Sequence, residues 1–274
     1  MSAMLVCTLG DLTLDVIVCL AGPIAAGGDT DAEIRVGPGG QAANVAAWAA
    51  ELGARARFIG KTGADDAGEL VRTKLAGYRV EIVGPVEGRN GSICSLVSPD
   101  GARSMAADRG VARDLRADEV DAGWLVGCDH LHVSGYALMV EPVRGAALRA
   151  TELARAERAR ISVDLASRSA IRDNGVEAFR DAVRAVGPDV VFATEEEERM
   201  VGRSVGGAAW ILKRGARGCS FDGDEREALP VGQVVDSTGA GDALAAGWIV
   251  GGPDLALEAA ARCVQHVGAM PRDD

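Results

Sequence analysis

The sequence predicts an α/β fold in which a mostly parallel sheet is covered by helices and a small second sheet stands apart. Two observations lead to this prediction. Short apolar runs alternate along the chain with longer segments of helical periodicity, which is typical of successive β-α-β units. Two further segments, 15–36 and 92–105, interrupt that alternation with short strand-like pieces. We expect these pieces to form the second sheet.

Most predicted elements belong to the large sheet and its helices. The predicted strands are short apolar runs at residues 4–9, 57–59, 131–133, 160–163, 190–193 and 209–213. The predicted helices are longer amphipathic or Ala-rich segments at residues 41–52, 67–76, 143–159, 176–186, 240–250 and 255–267. These elements place the α/β core in residues 1–11, 38–89 and 108–274.

The second sheet is predicted from four short strands at residues 16–19, 33–36, 93–97 and 102–105. The sequence Ser-Pro-Asp-Gly at 98–101 joins the last two strands as a turn, because proline fixes φ, aspartate bonds its own backbone and glycine accepts a positive φ. We expect residues 12–37 and 90–107 to form this sheet as a lid over a ligand site.

Composition excludes several classes of function. The chain has 274 residues with 29 Lys+Arg against 40 Asp+Glu, a formal net charge of −11. This acidity argues against nucleic-acid binding, so an anionic ligand must be held by local backbone N–H groups and a cation. No uncharged apolar run approaches the ~18 residues of a membrane span. Six dispersed cysteines without a C-x-x-C pair indicate reduced thiols, and we expect a cytoplasmic protein.

The strongest functional motif is Asp-Ser-Thr-Gly-Ala-Gly-Asp-Ala-Leu at residues 236–244. A strand-like run ending at Val234 and Val235 precedes it, and a helix is predicted to start near Ala240. Free N–H groups at such a helix start, beside small residues, favour an anion such as a phosphate. Asp242 falls in the first helical turn. It could simply stabilise the helix there, or accept a proton from an attacking hydroxyl beside the phosphate.

A second glycine-rich turn opens the first predicted helix. The adjacent glycines Gly39 and Gly40 let the backbone approach a ligand, and Asn44 can donate and accept hydrogen bonds one turn later. An ordinary loop would show the same pattern. Asp15 follows the first strand, where open parallel sheets bind ligands. It could hold substrate hydroxyls or be a solvated turn residue.

Together these motifs resemble the PfkB, or ribokinase-like, family of carbohydrate and nucleoside kinases, in order and over nearly the whole chain. The resemblance rests on residues 10–15, 39–44 and 236–244, and on Gly-Lys-Thr-Gly at 60–63 with Asp65 and Gly68. It implies a ribokinase-like α/β core, a β lid, and phosphorylation of a hydroxyl by ATP with Mg²⁺.

The same resemblance assigns roles to individual residues. The catalytic base and the anion-hole amides correspond to Asp242, Gly239, Ala240 and Gly241. Substrate contacts correspond to Asp15, Gly39, Gly40, Asn44 and, more loosely, Arg168. Contacts near the nucleotide correspond to Thr194, Lys213, Gly215 and Gly218. The Mg²⁺ shell and a monovalent-cation (K⁺) site correspond to Glu197 and Asp236.

Three departures from the family pattern affect these assignments. Thr194 replaces the Asn of an Asn-x-x-Glu motif, so we expect altered rather than lost metal handling. Ala166 replaces the central Asn of an Asp-x-Asn-x-Arg pattern that runs from Asp164 to Arg168, and Arg168 could equally be a surface partner of an acid. Gln41 stands where some members that bind phosphorylated sugars have Lys, which disfavours a phosphosugar.

The sequence leaves sugars, sugar acids and nucleosides open as substrates. A nucleoside kinase of the same fold would share every motif. A weakly catalytic sugar sensor is suggested by Thr194, since the acidic run 195–198 could serve only as a helix start. A nicotinamide oxidoreductase would suit the α/β pattern, but the first strand lacks a G-x-G-x-x-G turn. We expect a small-molecule substrate, no nucleic-acid or membrane partner, and a lid sheet that could pair with a second copy.

Overall fold

The computed structural model describes residues 3–99, 103–205 and 209–272. The strands are β1 (Leu5–Leu9), β2 (Thr13–Leu20), β3 (Ala32–Gly39), β4 (Arg55–Ile59), β5 (Val80–Val83), β6 (Asn90–Val97), β7 (Arg103–Gly110), β8 (His130–Ser134), β9 (Arg160–Asp164), β10 (Val190–Thr194), β11 (Ala209–Lys213), β12 (Cys219–Phe221) and β13 (Asp224–Arg226). The helices are α1 (Gln41–Glu51), α2 (Asp66–Gly77), α3 (Val143–Ala156), α4 (Arg168–Asn174), α5 (Val176–Val186), α6 (Glu195–Val201), α7 (Ala240–Gly251) and α8 (Pro253–Cys263).

The larger sheet has nine strands among the described residues, in the order β13-β12-β11-β10-β9-β8-β1-β4-β5. Every pair from β11 to β5 is parallel, and β12 and β13 add an antiparallel edge. Because the parallel strands end along one side, the segments that follow β1, β8, β9, β10 and β11 meet there. Open parallel sheets place ligands at this side.

Helices bury both faces of the larger sheet. On one face α1 lies between the sheet and α7, and residues 42–50 are therefore all buried. On the other face α5 buries Phe179, Ala182, Val183 and Val186, the spacing of an amphipathic helix. The N-termini of α1 and α7 therefore lie side by side at the carboxyl end of the sheet.

The second sheet has four strands in the order β3-β2-β6-β7. β2 pairs with β3 antiparallel and with β6 parallel, and β6 pairs with β7 antiparallel. β2 follows β1 directly and β3 leads into α1, so this sheet is connected to the carboxyl end of the larger sheet. The predicted sheet is confirmed, although β7 is longer than predicted. Residues 100–102, part of the predicted turn and strand, lie outside the described residues.

Several predicted boundaries were wrong. Val234 and Val235 do not form a strand: both are exposed, and the Val235 N–H donates to the Val264 carbonyl at 2.8 Å instead of to a neighbouring strand. The helix predicted at 143–159 ends earlier, before Arg158, which takes a φ of 64°. β5, β12, β13 and α4 were not predicted, because short elements give little periodicity. α6 begins at the acidic run 195–198, which the sequence had offered as a possible helix start. Across the described ranges, no helix is long and apolar enough to cross a bilayer.

Candidate active site

A cleft of about 600 Å³ opens where the carboxyl end of the larger sheet faces the four-stranded sheet. Ile17, Ile93 and Met105 line it from the four-stranded sheet, and Asn44 and Asp242 line it from the first turns of α1 and α7. Pockets of this size, with polar groups converging on a partly apolar wall, bind small molecules. The cleft therefore brings together motifs that lie far apart in the sequence.

Asp242 is the central carboxylate of the cleft. Asn44 Nδ2 donates a hydrogen bond of 2.8 Å to Asp242 Oδ2. Burial of the carboxyl group, together with the negative charge of Asp164, raises the pKa of Asp242 to about 7, although Asn44 and Lys213 act in the opposite direction. A carboxyl group that titrates near neutral pH can accept a proton during a reaction.

The turn before α7 supplies backbone N–H groups beside Asp242. Gly239 caps the helix with a φ of 77°, and a Cβ there would lie 2.4 Å from the Cβ of Ala269. Among the described residues, the N–H groups of Gly239 and Gly241 have no protein acceptor, whereas that of Ala240 donates to the Ser237 carbonyl at 3.4 Å. Two of the three predicted amides are thus fully free to bind an anion.

A buried ion pair lies against this turn. Lys213 Nζ, at the end of β11, is 2.6 Å from Asp164 Oδ2, at the end of β9, and Asp164 is completely buried. A Cβ on Gly241 would lie 3.3 Å from Lys213 Nζ, so the ammonium group touches the turn. Burial lowers the pKa of Lys213, but the carboxylates of Asp164 and Glu197 outweigh it and leave that pKa raised. Lys213 is therefore a charged group close to the free amides.

Asp15 lies across the cleft from Asp242, on β2. A Cβ on Gly39 would come within 2.1 Å of the Asp15 carboxyl carbon, so a larger residue there would displace that carboxyl group. Thr13 Oγ1 donates to Asp15 Oδ1 at 2.8 Å, and burial, with the charge of Asp11, raises the pKa of Asp15 to about 6. Gly40 has a φ of 100°, and a Cβ there would lie 2.3 Å from the Asp11 carbonyl oxygen. The glycines predicted here are required by this close packing.

Sequence motifs gave no indication of one charged wall of the cleft. The Arg109 guanidinium forms an ion pair with Asp11 and lies 3.6 Å from the centroid of the Tyr136 ring. Arg113 lines the same wall. Asp11 Oδ1 is buried and, among the described residues, has no hydrogen-bond partner. These residues come from separate elements, and no local spacing in the sequence connects them.

The predicted pair Thr194 and Glu197 forms a reciprocal cap at the start of α6. The Thr194 N–H donates to Glu197 Oε2 at 2.8 Å, and the Glu197 N–H donates to Thr194 Oγ1 at 3.3 Å. Thr194 stands where the family motif has asparagine, and its hydroxyl caps α6. Neither residue lines the cleft.

Of the other predicted residues, some line the cleft and some lie outside it. Arg168 is exposed and pairs with Glu196 at 3.1 Å, outside the lining of the cleft. Gly215 and Gly218 bound the turn between β11 and β12, with φ values of 58° and 91°. Asp236 is buried and lines the margin of the cleft. Within the described ranges, no group of three or more His, Cys, Asp and Glu side chains is arranged to hold a metal ion.

Comparison with known proteins identifies the family. The model for pfkB family carbohydrate kinases matches residues 3–271. The ATP-dependent ribose-1-phosphate kinase of Halopiger xanaduensis is 32% identical over 237 residues, 82% of this chain and 78% of that protein. Fructokinase-1 of Zea mays is 30% identical over 262 residues, 87% of this chain and 80% of that protein.

A solved structure from E. coli, described as a ribokinase II in complex with ATP and Mg²⁺, matches the fold with a TM-score of 0.85 and 25% identity. The match covers 97% of this chain and 94% of that one. The chain therefore belongs to the pfkB family, has a ribokinase-like fold, and is an ATP-dependent carbohydrate kinase. The predicted family and fold class are confirmed.

Proposed function

We propose that the protein transfers the γ-phosphoryl group of ATP to a hydroxyl of a sugar or sugar acid, with Asp242 as the base. The observation that carries this proposal is the position of Asp242, in the first turn of α7 beside the free N–H groups of Gly239 and Gly241. A base and an anion-binding turn on one wall of a cleft are the two groups that phosphoryl transfer to a hydroxyl requires.

In this mechanism the substrate hydroxyl attacks phosphorus while Asp242 takes its proton. The bond that breaks is the one between the γ-phosphorus and the β,γ-bridging oxygen, so ADP departs as the new P–O bond forms. The N–H groups of Gly239 and Gly241 stabilise the charge on the transferred group. Lys213, held against the same turn by Asp164, adds a fixed positive charge.

Glu197 is the residue best suited to hold Mg²⁺. Its carboxylate is buried and uses Oε2 for the Thr194 N–H, while Oε1 accepts no hydrogen bond from the described residues. A hard divalent cation binds such carboxylate oxygens. Bound there, Mg²⁺ would neutralise charge on the phosphates.

The acceptor groups of the cleft suit a polyhydroxylated substrate. Asn44 is 5% exposed and its Oδ1 is buried without a hydrogen-bond partner among the described residues. Asp15 is a second, half-buried acceptor that lines the same cleft. Acceptors left without a protein donor in a cleft are open to the donors of a ligand. We assign Asp15, Gly39, Gly40 and Asn44 to substrate binding, whereas Arg168 would have to leave Glu196 to take part.

Arg109 and Arg113 favour a substrate with an anionic group, such as a sugar acid. Arginine binds carboxylate and phosphate through paired N–H donors. Tyr136 is the one aromatic side chain among the described lining residues, and Arg109 covers its ring. That contact covers one face of the ring with a guanidinium, so a nucleoside is the less suitable acceptor. Residues 12–37 and 90–107 would act as a lid that excludes water.

A coupled assay of ATP consumption over pentoses, hexoses, sugar acids, phosphorylated sugars and nucleosides tests this proposal. We expect turnover with a sugar or sugar acid, and a fall of kcat by about 10³-fold in Asp242→Asn with little change in substrate affinity. Asp254→Asn is the matched control, because Asp254 is also a first-turn acid but is exposed on α8. Near-normal turnover in Asp242→Asn would disprove the role of Asp242 as the base.

A further inference from the structure

We propose that the positive charge at Asp236 comes from Arg103 and that the enzyme needs no monovalent metal ion there. The family resemblance suggested a K⁺ site at Asp236. The groups around that carboxylate fit a guanidinium better than a metal ion. Asp236 leads into the turn with the free N–H groups of Gly239 and Gly241, which we call the anion-hole turn. The expected effect of this pair on turnover therefore rests on the proposed function.

Donors already satisfy the Asp236 carboxylate. Its Oδ1 accepts the Thr238 N–H at 2.7 Å and pairs with the Arg103 guanidinium, and its Oδ2 accepts the Gly268 N–H at 3.0 Å. The Asp236 side chain is 5% exposed and that of Arg103 is 18% exposed. Burial alone would raise the pKa of Asp236, but the N–H groups of Gly268 and Thr238, with Arg103, hold it below its usual value. This carboxylate is ionised and neutralised by the chain itself.

Two carbonyl oxygens of the segments around Asp236 are also engaged. A monovalent or divalent hard cation is bound by several converging oxygen atoms. The Thr238 carbonyl accepts from Cys263 Sγ at 3.3 Å, and the Ala269 carbonyl accepts from Trp48 Nε1 at 2.8 Å. The surroundings of Asp236 therefore present N–H donors and a guanidinium where a metal ion would need free oxygens. On this donor chemistry, the residues present do not fit a K⁺ site.

The Arg103–Asp236 pair connects two parts of the cleft. Arg103 is the first residue of β7 in the four-stranded sheet, and Asp236 begins the turn that leads to Gly239 and α7. Thr238 donates its N–H to the same carboxylate, so the pair fixes the backbone directly before the free amides. Arg103 is thus a positioning residue: it neutralises a buried acid close to the phosphoryl group and holds the anion-hole turn in place.

The first test varies the cation at constant ionic strength. Potassium, sodium and caesium chloride are compared with N-methyl-D-glucamine chloride, and both kcat and the melting temperature of the wild-type enzyme are measured. We expect kcat to change by less than about twofold and the melting temperature to stay constant. A several-fold activation by K⁺, or K⁺-specific thermal stabilisation, would overturn the proposal. The melting temperature needs no turnover, so this readout survives even if the proposed reaction is wrong.

The second test removes the guanidinium and returns it in solution. In Arg103→Ala we expect kcat to fall by about tenfold or more, and low concentrations of guanidinium chloride to restore part of it. The same ionic strength of KCl should not. Arg103→Lys keeps a positive charge and should retain most activity, still without a K⁺ effect. If Arg103→Ala does not fold, the Lys variant and the wild-type cation series decide the question.

Arg89→Ala is the matched control. Arg89, directly before β6, pairs with Asp108 of β7, and both side chains are 61% exposed. We expect normal kcat and no response to guanidinium in this variant, which separates specific rescue from a general effect of the salt. Two results would contradict the proposal: unchanged kcat in Arg103→Ala, or recovery of that variant by K⁺ as well as by guanidinium.

Discussion

Asn44 Nδ2 donates a 2.8 Å hydrogen bond to Asp242 Oδ2, although 198 positions separate the two residues in sequence. The bond joins the first turns of α1 and α7, which lie together because both helices bury small, alanine-rich surfaces against each other and the sheet. Asn44 thus orients the carboxyl group that we propose as the base. Its other amide atom, Oδ1, remains available to a ligand.

The pH dependence of turnover should reveal the titration of Asp242. Its pKa of about 7 means that the carboxylate, the form that can accept a proton, is lost as the pH falls below that value. We therefore expect kcat to decline about tenfold per pH unit on the acid side of pH ~7. A pH–rate profile measures this decline.

Asn44→Ala provides the internal check on that profile. Asn44 donates to the ionised carboxylate and so lowers the pKa of Asp242. Its removal should move the acid limb to higher pH. A profile that stays flat well below pH 6, or an acid limb that does not move in this variant, would contradict the assignment of Asp242 to the limb.

The titration of Asp242 should also change the stability of the protein, but in the opposite direction: stability is greatest at low pH, where turnover is lowest. The pKa of Asp242 is higher in the folded protein than its ordinary value of 3.8, so the stability that its protonated form provides is complete below pH 3.8 and is lost as the pH rises through about 7. Asp242→Asn removes this loss. We expect it to raise the melting temperature by roughly 2–6 °C at pH 8, corresponding to about 1–2 kcal/mol after allowance for solvent screening.

Scanning calorimetry at pH 8 and near pH 4 checks the stability prediction, and the difference between the two proteins should shrink at the lower pH. Asp254→Asn should show no comparable gain, because Asp254 is an exposed partner of Arg226. A destabilised Asp242→Asn at pH 8 would show that the carboxylate is better solvated than its burial indicates.

The ion pair between Lys213 and Asp164 should contribute strongly to stability. Lys213→Met leaves the Asp164 carboxylate buried without its cation, and its remaining hydrogen bond from the described residues comes from the Ala166 N–H at 2.9 Å. Loss of one member of a buried ion pair lowers the free energy of unfolding by about 3–5 kcal/mol. Urea denaturation should show that loss, and the double variant Lys213→Met/Asp164→Asn should recover part of it. A loss below about 1 kcal/mol would mean that the pair is as weak as a surface salt bridge.

Gly239→Ala should disable the anion-hole turn. The new Cβ would lie 2.4 Å from Ala269 Cβ at a φ of 77°, so the turn must move and its amides with it. We expect kcat to fall by about 100-fold. Gly252→Ala is the control: Gly252 has a similar φ of 81°, but beyond its chain neighbours no atom of the described residues lies within 4 Å of its Cβ position. It should lose about 1–3 kcal/mol of stability with kcat unchanged, and equal kcat losses in both variants would contradict the prediction.

Local sequence patterns were sufficient where the controlling interactions are local. Gly40 and Gly239 were predicted as ligand-contacting glycines, and both adopt a positive φ at a helix start. Val234 and Val235 show the opposite case: their β-branched side chains favour a strand, but no strand of the described residues pairs with them and they remain exposed. Propensity alone cannot supply the missing hydrogen-bonding partner.

The cleft itself required long-range packing. Arg109 and Tyr136 come from different elements, and nothing in the spacing of either residue indicates their stacking. Arg103 lies at the start of β7, yet its guanidinium meets Asp236 before α7. Contacts of this kind depend on how two sheets are oriented, and each sheet's orientation is set by many buried side chains at once.

By itself the sequence determined the α/β class and the two glycine-rich turns and predicted Asp242 as the candidate base, because periodicity, glycine placement and helix-start chemistry are properties of neighbouring residues. Only the tertiary structure decided that Asn44 orients Asp242, that Asp164 holds Lys213 beneath the anion-hole turn, and that Arg103 occupies the cation position at Asp236. These pairings depend on charge and burial across distant segments, and such energies exist only once the chain has folded.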